Sequence, residues 1–144
     1  MTVRTADPLV GSTLDDRYQI VRRAARGGNA IVFEAMDDRL ARTVAVKVMR
    51  PDVATPEELR RGFTAEARAA ATLSHPHVVS VFDSGFDHGR PYIVMEYVRG
   101  ITLRNLITLE APFAPEQALA IFEPICAALA AAHEAGIVHR DVKP

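Results

Sequence analysis

Thr43 to Arg50, TVAVKVMR, is the stretch that leaves this chain the least freedom. Val44, Val46 and Val48 fall on one side of an extended strand, and Ala45, Lys47 and Met49 fall on the other. A valine side of that kind must be covered by other strands or a helix. A few residues on, TPEE places Thr55 at a helix N-cap, Pro56 at the first helical position and Glu58 at the third, a capping box. The pattern predicts a helix from there to about Leu73. A strand feeding a capped helix sets the plan for the rest.

Upstream, residues 1–16 read as a polar lead-in. Tyr18 to Arg23 and Asn29 to Met36 read as strands, and Asp37 to Arg42, DDRLAR, as a polar turn. Downstream, Val78 to Ser84 and Pro91 to Val98 read as strands joined by GFDHGR. A short helix fits Thr102 to Leu109. A long helix starts near Pro115 and carries Leu119, Phe122, Cys126 and Leu129 at helical spacing, which predicts Cys126 in the core. Gly136 should end it, with Ile137 as the apolar contact of a Schellman cap. Pro124 inside it removes the bond to the Ala120 carbonyl and predicts a kink. The pattern is therefore α+β: five strands, the first three an antiparallel meander, and one main helix followed by a mostly helical part.

Composition narrows the function. The chain has 144 residues, 49% of them apolar, and a formal net charge of -1, an ordinary globular balance with no pull toward nucleic acid. One cysteine excludes an internal disulfide and suits a reducing compartment. The N-terminus lacks a signal-peptide core. Ala118 to Ala132 is interrupted by Glu123 and Pro124 and falls short of the roughly 20 residues of a membrane span. A cytoplasmic setting is expected. His75, His77, His88 and His133 make no convincing metal set.

Ala25 to Phe33, ARGGNAIVF, is either a tight turn between strands or a phosphate-cradling loop, and alone it does not say which. Lys47, one of only two lysines beside 15 arginines, is either a lysine snorkelling from a half-exposed strand or a functional ammonium. Glu66 shares a helix stripe with Phe63, Ala67 and Ala70, so its carboxylate needs a cation unless it reaches water at the stripe's edge. Lys47 is the candidate by topology. At the chain's end, HRDVKP brings Asp141 and Lys143 together as a candidate base and phosphate ligand, or as an ordinary charged turn.

VAVKV, the FTAEA helix, HPHVV, YIVMEYV and HRDVKP occur in order, and together they resemble the protein kinase family, most closely the bacterial, eukaryotic-like (Hanks-type) Ser/Thr kinases. The resemblance spans about Asp16 to Pro144. It implies the kinase fold: an N-lobe over 17–98 and the beginning of a C-lobe over 99–144, ending in the catalytic loop. It implies ATP and Mg2+ as cofactors, a protein with a Ser/Thr acceptor as substrate, and a kinase homodimer as a possible assembly. Lys47, held by Glu66, would contact the α- and β-phosphates. Ala25, Arg26, Gly27, Gly28, Asn29 and Ala30 would form the phosphate loop. Val32 and Ala45 would line the adenine pocket, Met95 would be the gatekeeper, and Glu96 and Val98 would offer hinge backbone groups. Asp141 would be the catalytic base, and Lys143 points to Ser/Thr acceptors.

Two departures accompany the resemblance. Ala25 and Ala30 stand where the family's loop has its outer glycines, and a Cβ at Ala25 loosens the loop if that position needs positive φ. The metal ligands, an Asn and the Asp of D-F-G, belong to segments following Pro144, so no metal ligand is assigned here and the chain alone is expected to be inactive. Two other readings compete with an active kinase: a pseudokinase or kinase fragment that binds nucleotide or protein, and a small-molecule phosphotransferase of similar fold.

Overall fold

The computed structural model describes residues 7–50 and 56–144; the side chains at 56, 59, 60 and 66 lie outside that description. The chain divides into two compact units, Met1–Ala71 with Val81–Tyr97, and Thr72–Ser80 with Val98–Pro144.

The first unit is a six-stranded antiparallel sheet with a helix. Its elements are β1 (Thr13–Leu14), β2 (Tyr18–Arg26), β3 (Ala30–Asp37), β4 (Arg42–Met49), α1 (Pro56–Thr72), β5 (Val81–Asp87) and β6 (Arg90–Glu96). The strand order is β1-β2-β3-β4-β6-β5. The valine alternation decides the faces as expected: Val44, Val46 and Val48 pack with Tyr18, Phe33 and Tyr92 in one core cluster. On the other face Ile93 packs with Phe63 and Ala67 of α1, flanked by Met49, Val81 and Met95. The proposed cap residue Thr55 lies outside the described residues.

Three expectations need correction. The sheet has six strands, not five, because the end of the polar lead-in pairs with it. Asp15 and Asp16 adopt left-handed φ of 53° and 50°, a conformation aspartate tolerates better than most residues. The chain thereby reverses and sets Leu14 opposite Tyr18, with Leu14 only 2% exposed. The GFDHGR connection is tighter than the six residues suggest. His88 and Gly89 have φ of 47° and 78°, as a two-residue I′ turn requires, and Gly85, Phe86 and Asp87 remain in β5. Asp37, expected in a polar turn, ends β3 and is 1% exposed.

Gly85 is a packing residue. It lies opposite Tyr92 in the β5–β6 ladder, and a Cβ there would sit 2.6 Å from the Tyr92 hydroxyl and 2.7 Å from Cζ. Tyr92 cannot simply swing away, since it is 1% exposed and its hydroxyl donates to Asp15 Oδ2 at 2.9 Å. Gly85→Ala is expected to destabilise this chain by about 1–3 kcal/mol through overpacking, read as a lower urea midpoint at unchanged slope.

The second unit holds α2 (Leu103–Glu110) and α3 (Pro115–Glu134). Thr102 caps α2, its hydroxyl accepting from the Asn105 amide at 3.2 Å. α3 continues as one helix across Pro124. Its end is the Schellman cap expected from the sequence: the Ile137 amide donates to the Ala132 carbonyl at 2.8 Å and the Gly136 amide to His133 at 2.9 Å, with Gly136 at φ 75°. Cys126 is exposed, which overturns its placement in the core. The covered stripe of α3 is instead Ile125, Ala128, Leu129 and Ala132, turned toward Leu73, Val78 and Ile137. Leu119 and Phe122, on the same stripe as Cys126, are 60% and 59% exposed.

Candidate active site

The glycine turn is the loop of the β2–β3 hairpin. Gly27, Gly28 and Asn29 connect the strands, and the Gly27 amide donates to the Ala30 carbonyl at 2.9 Å. From β4's end, Arg50 latches the turn twice: its amide donates to the Asn29 carbonyl at 2.9 Å, and Nη1 donates to the Gly28 carbonyl at 3.2 Å. Ala25 lies within β2 opposite Val32 and is not among the residues with positive φ. The left-handed conformation that would have made an alanine costly there is not used. Gly28 has open space where a Cβ would project, so the fold does not require its smallness.

The ladders bring most of the N-terminal candidates onto one face. Lys47 lies opposite Val32 on β3 and Ile93 on β6. Ala45 lies opposite Met95. Ala25, Val32, Ala45, Lys47 and Met95 therefore share the face on which α1 packs through Phe63 and Ala67. Ala45 is 7% exposed and Lys47 half-buried. Arg26 departs from this set: opposite Ile31, its side chain belongs to the other face. Glu96 also pairs on the other face, opposite Val44, so only its backbone can serve the Lys47 side. Val98 follows the end of β6 and is exposed. Glu66 sits between Phe63 and Ala67 along α1, but its side chain lies outside the described residues.

The C-terminal candidates stand on the loop after α3. Arg140 takes a left-handed φ of 62°, and the Asp141 amide donates to His139 Nδ1 at 3.2 Å. Lys143 Nζ donates to Asp141 Oδ2 at 2.7 Å. The Lys143 ammonium holds the Asp141 carboxyl below the usual aspartate range. His139, Asp141 and Lys143 rim a cavity of about 430 Å³ whose wall is the apolar side of α3. A carboxyl 13C titration of this chain is expected to place the Asp141 midpoint below 3.8. Lys143→Met should move it up toward the ordinary value, and an unmoved midpoint would show that the pair does not persist in solution.

The sequence reading missed the braces behind these elements. Arg22 of β2 pairs with Glu34 of β3, and its Nη2 donates at 2.8 Å to the Tyr97 hydroxyl, one residue past Glu96. Polar residues on an alternating strand read as solvent-facing, so nothing marked this link. Nor did anything mark the network in which Arg17 donates twice to Asp37, at 2.9 and 2.8 Å, and once to Asp83 at 3.2 Å. Tyr18 adds a 2.6 Å bond to the same Asp83 oxygen, and burial pushes its phenol pKa up.

Comparison with known proteins bears on the family and the fold. The profile of the protein kinase domain matches residues 18–144. The chain is 47% identical over 136 residues to the serine/threonine-protein kinase PrkC of Bacillus subtilis, covering 94% of this chain and 21% of that protein. It is 44% identical over 140 residues to the serine/threonine-protein kinase PknL of Mycobacterium tuberculosis, covering 97% of this chain and 35% of that protein. Among solved structures, the Mycobacterium tuberculosis PknI kinase domain superposes with a TM-score of 0.78 at 34% identity, over 94% of this chain and 55% of that one. Rad53 1-466 in complex with AMP-PNP superposes with a TM-score of 0.78 at 27% identity, over 89% of this chain and 33% of that one. The chain thus spans about a fifth to a third of these curated relatives and about half of the solved PknI domain. With the profile matched from Tyr18 to the last residue, and the hairpin, lysine strand, helix and HRDVKP loop in their order, the chain belongs to the protein kinase family and has its fold.

Proposed function

We propose that the protein containing this chain is an ATP-dependent serine/threonine protein kinase, passing the γ-phosphate of ATP to Ser or Thr hydroxyls of proteins. The observation that carries the reading is the sharing of one sheet face by Val32, Ala45, Lys47 and Met95, at the hairpin whose turn is Gly27–Asn29. That surface offers an apolar seat and one ammonium, the chemistry an adenine and its phosphates need. In this reading residues 17–98, together with the short β1, form the nucleotide lobe, and residues 99–144 begin the substrate lobe. The turn from Ala25 to Ala30 covers the phosphates, chiefly with backbone groups. Val32 and Ala45 hold the adenine, Met95 closes its rear, and the backbones of Glu96 and Val98 meet its edge. Lys47 holds the α- and β-phosphates, and Glu66 fixes Lys47 from α1. Asp141 orients the acceptor hydroxyl and accepts its proton, while Lys143 steadies the phosphate in transfer.

ATP would supply the phosphoryl group, and a bound Mg2+ would neutralise its charge. Among the described residues no group of three or more His, Cys, Asp and Glu could hold the ion, and its ligands are assigned to segments after Pro144, so no step runs through it here. No described helix is long and apolar enough to cross a membrane, and the proposed setting is the cytoplasm. A second copy is the proposed partner of the sheet unit, whose Leu40 and Phe82 are 56% and 42% exposed. The test is transfer of labelled phosphate from Mg2+-ATP to a generic basic protein by the full-length protein. Absence of transfer, with ATP still bound, would favour a binding module.

A further inference from the structure

The sheet face opposite Lys47 carries a second concavity, of about 410 Å³, at the same end as the glycine turn. Its floor is apolar: part-exposed Ile31 lies over the buried Phe33 and Val48, and Pro8 and Leu9 close one side. Its rim is cationic. Arg26 lies opposite Ile31, Arg50 follows Val48 by two residues, and Arg90 precedes Tyr92 by two, so the ladder register sets three guanidiniums around one floor. Among the described residues, Asp7 is the one acid in the lining. Its Oδ1 accepts from the Leu9 amide at 3.2 Å and its Oδ2 stands 3.9 Å from Arg23 Nη1. That carboxylate is occupied by a fourth arginine and by its own turn. Among the described residues, Arg26 and Arg90 form no ion pair within 4 Å, and Arg90 feels the Asp87 charge across the β5–β6 ladder only at longer range.

We propose that this pocket binds a phosphomonoester dianion, with a phosphothreonine-type side chain as the favoured form. Such a group carries a charge of about -2 and three acceptor oxygens. Guanidinium forks match those oxygens in pairs. The apolar floor gives a carbon-bearing ester an advantage over inorganic phosphate. Arg50 makes the site more than a surface patch. The side chain that rims the pocket also donates to the Gly28 carbonyl, so an anion drawing on Arg50 acts on the glycine turn. The site does not depend on phosphoryl transfer by this chain and stands or falls separately from it.

The test is titration of this 144-residue chain, free of nucleotide, with three probes: inorganic phosphate, the peptide Ala-Ala-phosphoThr-Ala-Ala, and its unphosphorylated form. Amide shifts of Gly28, Asn29 and Arg50 report binding. The phosphopeptide should saturate, at severalfold lower concentration than phosphate for one buried methyl, and the unphosphorylated peptide should do nothing. Arg90→Gln, alone and with Arg26→Gln, should weaken phosphopeptide binding by roughly tenfold or more with the melting temperature unchanged. Lys47→Met should bind as the parent does. Equal use of phosphate and phosphopeptide would assign the site to free phosphate and overturn the favoured form. No saturable shift, or binding lost in Lys47→Met and kept in Arg90→Gln, would overturn the proposal.

Discussion

Lys47→Met is expected to lower phosphoryl transfer by the full-length protein by roughly 10²-fold or more, the scale of removing one preorganised charge-stabilising donor. The strand should survive the change. Methionine keeps a flexible stem of similar length beside Ile93, and the valine face of β4 is untouched. The loss should therefore appear in turnover while the melting temperature holds. Asp141→Asn should be comparably inactive, since it removes the group proposed to accept the hydroxyl proton. Transfer at the parent's rate in Lys47→Met would sink the kinase reading of this face. A loss accompanied by a large fall in melting temperature would point instead to a structural lysine.

Asp37→Ala is expected to cost about 3 kcal/mol of stability, the lower end for breaking a buried ion pair. Asp37 is 1% exposed and takes both forks of Arg17, and it also accepts from the Arg39 and Leu40 amides. Alanine removes all of these acceptors at once. The cost stays at the lower end because Arg17 retains Asp83 and reaches solvent, with 20% of its side chain exposed. A pH signature accompanies it. The hydrogen bonds from Arg17 hold the Asp37 carboxyl below its ordinary 3.8. Its contribution is therefore present above that value and lost as pH falls through the lower folded one. Urea midpoints measured from pH 7 down to pH 2 should fall through this window in the parent. They should fall less in the Asp37→Ala chain, and parallel curves would contradict the assignment.

Much of this was legible because it rests on local pattern. Val44, Val46 and Val48 declare a face by alternation alone. Gly136 followed by Ile137 declares a helix end, because both cap bonds need only those residues and the preceding turn. Asp37 was not legible, since what buries it is Arg17, 20 residues upstream. The β1 pairing depends on two aspartates adopting left-handed φ, a choice the sequence permits without demanding. Cys126 was misplaced because α3 is apolar on more than one stripe, and spacing cannot tell which stripe its own unit covers. Gly85 read as turn material, whereas its reason is the Tyr92 ring across the ladder. In the site, the shared face followed from β4's alternation, but Arg26 was credited to the phosphate loop when its side chain belongs to the opposite face.

The cap at the end of α3 has a mechanical consequence. Gly136 and Ile137 lock the chain's departure from the helix, and Asp141 follows within a few residues. A span that short has little slack, so the helix acts as a ruler whose axial position sets where the carboxylate stands. One residue of axial slippage is about 1.5 Å, enough to take the proposed base out of reach of a hydroxyl proton. Ala128 and Ala132, which line the cavity that Asp141 rims, would share in that tolerance while touching none of the reacting atoms.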